Sequence, residues 1–400
     1  MSEMVVKTVF KSLMESIKKS RYALAPLHEA ISNSLEAILQ MNDFAEGEKP
    51  EINITFDFTG LLEDKKSLSH ITVQDNGLGF DAQNFSRFET LLDKTKGYNN
   101  RGSGRIQFVH RFDRVDVTSF YIEAGQHFKR SFSCSAVRFV FDHRNTADTA
   151  RHKSGSTVTF HVGAALERDK PYFDSLEMAD IIHDLKRLIM LRYYLESKNE
   201  KNKAPVINVV FKKNGKVSSS VSIAPEDMPA PADTGSIKVQ YHQLRNINDP
   251  TNVEWVTVPE KEETLEWAHF KLSENDLASN GVWLCSKGVT VSPIYYEGIN
   301  KHETVNGKRF LTAFYGPALD EPNSVSASVD SFEFPDQKDV ESKIREGDFI
   351  YPASSSFSLT ISRKASTRRY LGFIRMCSMS RRTRKIALMR SRVRTGFHSK

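Results

Sequence analysis

Three short segments ahead of residue 160 restrict this chain more than anything else in it: HEAISNSLEA (28–37), DNGLGF (75–80) and RGSGR (101–105). The first has helical spacing, because Leu27, Ile31, Leu35 and the pair Ile38-Leu39 recur every three to four residues. The second closes the alternating stretch HITVQD, which predicts a strand ending at Asp75. The third is a glycine loop before a predicted helix. Their order and spacing fit one kind of nucleotide pocket. In it a helix supplies metal and water chemistry, a strand end reads adenine, and a glycine loop closes over phosphate.

The residue types carry that reading. Glu29 and Asn33 stand four apart and project from one helix face, which Glu36 and Ala37 continue. An amide oxygen beside a carboxylate suits a hydrated magnesium ion and an attacking water: the amide ligates, and the carboxylate orients and deprotonates the water. Asp75 at a strand end can accept the exocyclic amine of adenine and repels guanine, while Gly77 and Gly79 let the backbone lie close to a base. Gly102 and Gly104 expose amides at a positive helix end, and Lys94, Lys96, Arg101 and Arg105 surround them, as an anion site requires. Ser156 and Thr157, in GSTV (155–158), open a strand whose hydroxyls can contact Asp75 or a bridging water. Taken singly, each segment has a plainer reading: a solvated helix face, an Asp-Asn-Gly hairpin turn, a flexible loop.

Along the chain, residues 5–42 predict helix in two pieces, broken near Ala25-Pro26. EINITFDF (51–58) predicts a strand. Residues 81–104 start as a short helix and become a polar loop; a helix and then strands follow, to about Val162. The helical stretch 176–196 reads as a connector to a second domain, in which residues 205–335 alternate as strands and turns. The expected division is therefore a first domain at 1–165, a helical connector at 166–200, a second domain at 201–345 and a tail at 346–400.

Charge is uneven along the chain. Residues 351–400 contain 13 Lys or Arg, 10 Ser and no Asp or Glu; taking those 13 from the total of 56 leaves 43 basic against 50 acidic residues in 1–350. The net charge of +6 therefore belongs to the tail, and the body is mildly acidic. The tail reads either as a disordered basic arm for nucleic acid or an acidic surface, or as non-native sequence from a shifted frame or artificial end. No run approaches the roughly 18 apolar residues of a membrane span, and residues 1–22 are too charged for a secretory signal. Cys134, Cys285 and Cys377 lie far apart without metal-ligand spacing, which predicts reduced thiols in a cytoplasmic protein.

Together these motifs resemble the GHKL ATPase superfamily, which includes gyrase B, the ninety-kilodalton heat-shock chaperone, histidine kinases and MutL. Its pattern is E-x-x-x-N-x-x-(D/E)-A on a helix, then D-x-G-x-G, a glycine-rich lid and a G-T or G-S/T strand. Here that pattern falls on Glu29/Asn33/Glu36/Ala37, on Asp75/Gly77/Gly79, on Gly102/Gly104 and on Gly155/Ser156/Thr157, over about residues 15–165. Two positions depart from it: Glu36 stands where Asp is usual, and Ser156 where Thr is usual.

The resemblance implies an α+β protein: a Bergerat-type α/β sandwich with a mixed sheet, followed by a transducer-like α+β domain. It implies ATP and Mg2+ as ligands, with Glu29 as general base and Asn33 as magnesium ligand. Asp75 would bind adenine, and residues 102–105, Arg105 included, would bind phosphate. The lid would span about 81–101, and one of Lys287, Lys301 or Lys308 would reach the γ-phosphate. Glu29 places the chain with the hydrolysing branch nearest MutL, MORC and chaperone-type ATPases, in which ATP drives lid closure and homodimerisation. DNA or a client protein would be the further partner, and no membrane. His28 reads as a helix-surface residue. A histidine-kinase-like phosphotransferase and a non-hydrolysing nucleotide sensor or scaffold remain as other readings.

Overall fold

The computed structural model describes residues 10, 14–15, 19–41, 44, 47–60, 66–90, 104–163, 169–199, 204–246, 253–294, 300–320, 326–327 and 332–333. The expected lid from Leu91 onward, Gly102 and the basic tail lie outside them. The described residues pack as two units. The first takes those up to Pro231 together with 285–292 and 319–333; the second takes 232–284 and 293–318.

In the first unit the strands are β1 (Glu51–Thr59), β2 (Ser67–Asp75), β3 (Arg114–Glu123), β4 (Gln126–Cys134), β5 (Phe141–Ala147), β6 (Gly155–His161), β7 (Val206–Lys213) and β8 (Lys216–Ile223). They form one sheet in the order β5-β4-β3-β6-β2-β1-β7-β8. The sheet is mixed: β1 and β7 run parallel, and every other neighbouring pair is antiparallel. Alternation sets its faces. Ile52, Ile54, Phe56 and Phe58 of β1, and Ile71 and Val73 of β2, are buried, while the residues between them are partly exposed.

Helix α1 (Ala25–Leu39) starts with Pro26 in its first turn, where a missing N–H does no harm. Its stripe Leu27, Ile31, Leu35 and Ile38 shares one buried cluster with the inward face of the sheet. Helices α2 (Ala82–Glu89), α3 (Ile106–Arg111) and α4 (Lys170–Asp174) are short, and α5 (Met178–Glu196) brings Ile181, Leu185, Leu188 and Ile189 into that cluster. Asp81 caps α2, its carboxylate accepting from the Asn84 N–H at 2.6 Å. The result is an α+β, two-layer arrangement. No described helix is long and apolar enough to cross a membrane.

The expected boundaries at 165 and 200 fall inside this unit. Residues 206–223, read from sequence as the start of a second domain, form the hairpin β7–β8 and extend the first sheet. The reason is visible in VINVVF: Ile207, Val209 and Phe211 alternate inward and continue the buried face of β1. Helix 178–196 is likewise part of the core rather than a connector.

The second unit carries β9 (Asp233–Asn246), β10 (Val253–Ser273) and β13 (Lys308–Tyr315). β10 pairs antiparallel with both of the others, β11 (Gly281–Ser286) pairs parallel to β13, and β12 (Val289–Ile294) follows β11 along the chain. VEWVTV (253–258) and AHFKLS (268–273) both belong to one 21-residue strand, β10. Leu265, Ala268, Phe270, Leu311, Ala313 and Phe314 are buried. Burial lowers the buried His269 to a pKa of about 4, and its ring bonds Thr312 at 2.9 Å.

Candidate nucleotide site

Asp75 ends β2 on the buried face of the sheet, 7% exposed. Burial pushes its carboxyl from 3.8 up to about 6, against the opposing pull of the Gly77 N–H, the Ser34 hydroxyl and the Ser156 backbone. The Gly77 amide donates to Oδ1 at 2.9 Å, and the Ser34 hydroxyl donates to Oδ2 at 2.8 Å. This buried acid is therefore held by a turn on one side and by α1 on the other.

The turn after Asp75 lies directly on α1. A Cβ at Gly77 would fall 2.8 Å from the Ala37 Cβ, so the small residues at 37 and 77 exist for each other. The Leu78 N–H donates to the Ala37 carbonyl at 3.4 Å. Gly79 has φ +76, and a Cβ there would meet the Phe120 carbonyl at 2.3 Å. Only glycine fits either position.

Strand register places a second polar row beside Asp75. Asp75 pairs with Ser156 of β6, and Ser156 pairs with Ser119 of β3, so all three face the helices. The fully buried Ser119 oxygen accepts from the Phe80 N–H at 2.8 Å and from the Ser156 hydroxyl at 3.1 Å; its own hydroxyl donates to the Gly155 carbonyl at 3.1 Å. Ser156 thus reaches Asp75 through its backbone, while its side chain is bound to Ser119. Thr157, expected in the pocket, belongs to the opposite face of the sheet, because successive strand residues alternate.

On α1, Glu29, Asn33 and Glu36 are half-buried on one face, with the Asn33 amide nitrogen 3.4 Å from Glu29 Oε1. The Glu29 carboxylate lies against Gly104, where a Cβ would fall 2.1 Å from one of its oxygens. Helix α3, which follows, is tied to the entry of α1. Gln107 accepts the Ser20 N–H at 2.8 Å, and Arg111 donates to the carbonyls of Ser20 (3.0 Å) and Tyr22 (3.2 Å) and pairs with Asp169. Glu29, Asn33 and Gly104 are therefore brought together.

Arg105 is not placed as expected. It is 8% exposed, its guanidinium donates to the carbonyls of Arg87 (2.6 Å) and Thr90 (2.8 Å), and it lies 5.3 Å from the Phe88 ring centroid. Through these carbonyls it joins the end of α2 to the start of α3. Lys287 forms, with Gly288, a tight turn in which both φ angles are positive. Its N–H donates to Asp320 at 2.7 Å and its carbonyl accepts from Arg192. Lys301 and Lys308 belong to the second unit.

Two site residues escaped the sequence reading. Ser34 is a hydroxyl inside the apolar stripe of α1, and Ser119 is the polar member of an inward run that also holds Val115, Val117 and Tyr121. A buried polar group on an apolar face needs a partner, and that was the available signal.

No protein-family model matches the chain, and no curated protein matches it. Among solved structures, the chain is similar to the crystal structure of the N-terminal domain of a DNA repair protein. That likeness covers 92% of this chain and 99% of the other, at 11% identity and a TM-score of 0.44.

Proposed function

We propose that the first unit binds ATP with magnesium, hydrolyses it slowly and uses it as a conformational switch, in the manner of the GHKL ATPases that its motifs resemble. The observation that carries this reading is the joint between Asp75 and α1. Neighbouring helix residues, Asn33 and Ser34, serve the two halves of the site: Ser34 holds the buried acid, and Asn33 lies beside Glu29. One rigid helix thus sets the distance between the group that would read adenine and the groups that would handle the γ-phosphate.

In this reading the Asp75 carboxylate accepts the adenine amine, and Gly77 and Gly79 keep Cβ atoms away from the base. Glu29 orients a water for in-line attack on the γ-phosphorus and takes its proton, while the bond to the β,γ-bridging oxygen breaks. Asn33, whose nitrogen is turned toward Glu29, would offer its amide oxygen to a magnesium ion bound with ATP, and such an ion would neutralise charge on the phosphates.

Nucleotide would shift the protein toward a closed state in which two copies associate, and it must favour that state by a few kcal/mol to do so. The deciding experiment is phosphate release by wild type and Glu29→Gln, with binding of a non-hydrolysable ATP analogue measured alongside. Turnover should fall at least 100-fold, the scale of a lost general base, with affinity preserved. Equal turnover in the two proteins would remove Glu29 from the role of base.

A further inference from the structure

His28 and Glu29 are neighbours on α1, about 100° apart around the helix. Glu29 faces Gly104; His28 faces α5, where its Nε2 bonds the Asp184 carboxylate, so it is not the surface histidine its sequence suggests. The other oxygen of Asp184 accepts from Arg187 Nη2, and Arg187 Nη1 donates to the buried Thr290 hydroxyl at 2.9 Å. Thr290 belongs to segment 285–292, which packs within the first unit. Next to it, Gly288 lies so close to Arg192 of α5 that a Cβ would fall 3.1 Å from the Arg192 Cα. Burial alone would raise Asp184, but His28 and Arg187 hold it well below the usual carboxylate range. It is therefore a carboxylate shared between two partners on two elements, and both of its oxygens are in use.

We propose that His28, Asp184 and Arg187 are positioning residues for Glu29: a chain of side chains that fixes the rotation of α1 and responds to Thr290 in segment 285–292. This deepens the ATPase reading and rests on it. The physical argument is leverage. A carboxylate roughly 6 Å from a helix axis moves about 1 Å when the helix turns by about 10°. A misplacement of about 1 Å at a reacting group costs as much as 100-fold in rate. His28 resists that turn, because it grips α5 one residue from the reacting group. Since the chain is continuous, a change at Thr290 reaches Glu29 through two side chains and His28, without contact with nucleotide.

The test uses the full chain and substitutes at the far end and in the middle of the relay. Thr290→Val removes a hydroxyl at nearly constant shape, Thr290→Ser restores it, and Asp184→Asn breaks the middle. Turnover at saturating ATP, affinity for a non-hydrolysable ATP analogue and hydrogen exchange of amides 28–33 are read for each. We expect Thr290→Val to lower kcat by about 3- to 10-fold and Asp184→Asn by roughly 10- to 100-fold, with affinity unchanged. Exchange at 28–33 should quicken in both, Thr290→Ser should match wild type, and the double variant should be no slower than Asp184→Asn alone.

Unchanged kcat and exchange in Thr290→Val, or effects that simply add, would overturn the relay; if Asp184→Asn fails to fold, Thr290→Val decides alone. Absence of Glu29-dependent turnover in wild type would instead overturn the ATPase reading. Exchange at 28–33 in Thr290→Val would then still show whether the chain transmits.

Discussion

Asp75→Asn should make the protein more stable and, on the proposed function, a far weaker binder of ATP. The fold keeps a carboxyl out of water, so its pKa rises from 3.8 to about 6. That rise corresponds to roughly 3 kcal/mol working against the folded state wherever the group is ionised. The sign follows from proton counting. Below pH 3.8 the side chain is protonated in both folded and unfolded chains, and nothing is lost. Between 3.8 and about 6 the unfolded chain releases the proton first, so stability falls; above 6 the loss is constant.

Asparagine has the same shape, still accepts the Gly77 N–H and carries no charge. The Ser34 hydroxyl must turn from donor to acceptor, which takes back part of the gain. A net stabilisation of about 1–3 kcal/mol at pH 8, vanishing near pH 3.5, is expected. Urea titrations of both proteins from pH 3.5 to 8 measure it. A variant less stable than wild type at pH 8, or a difference independent of pH, would refute the reasoning. Calorimetry on the same samples should find ATP affinity reduced by 100-fold or more, on the order of a mismatched buried hydrogen-bonding partner. If Asp75 accepts the adenine amine as proposed, wild-type affinity should improve as pH rises from about 5 to 7, through the Asp75 pKa of about 6.

Three further substitutions separate positions that sequence alone would treat alike. Ser34→Ala leaves Asp75 without its helix donor; stability should drop by about 1 kcal/mol, and isothermal titration should show weaker ATP binding with unchanged stoichiometry. Gly77→Ala drives a methyl into Ala37 and should destabilise by roughly 1–3 kcal/mol in thermal melts; a neutral result would mean the turn can lift off α1. Arg105→Met removes two hydrogen bonds from a charged donor and should cost about 2–4 kcal/mol in urea unfolding. An Arg105→Met protein of normal stability but abolished ATP binding would return Arg105 to the phosphates.

The parts legible in the sequence were those with a strict local period or a chemical pairing. The stripe from Leu27 to Ile38, the alternation in EINITFDF and the Asp-Asn-Gly turn each announce their element within a few residues. The acid–amide couple is set by helix geometry alone. What could not be read depends on register or on distant partners. Thr157 looked equivalent to Ser156 until the pairing with Asp75 set which of them faces the helices. Arg105 looked like a phosphate ligand because nothing local shows that the Arg87 and Thr90 carbonyls are its neighbours. His28 looked solvated because Asp184 is 156 residues away. The parallel pairing of β1 with β7 spans a comparable gap, and this is why residues 206–223 were assigned to the wrong domain.

That parallel pairing also dictates where the chain can be cut. Eight residues of β1, from Glu51 to Phe58, match partners on β7. A fragment stopped at residue 200 would bare that flank of β1, leaving main-chain amides and carbonyls ready to recruit a strand from another molecule. Turbid, self-associating preparations of such a piece would reflect the missing hairpin and not an unstable core. Extending it through Pro231 restores the native cover.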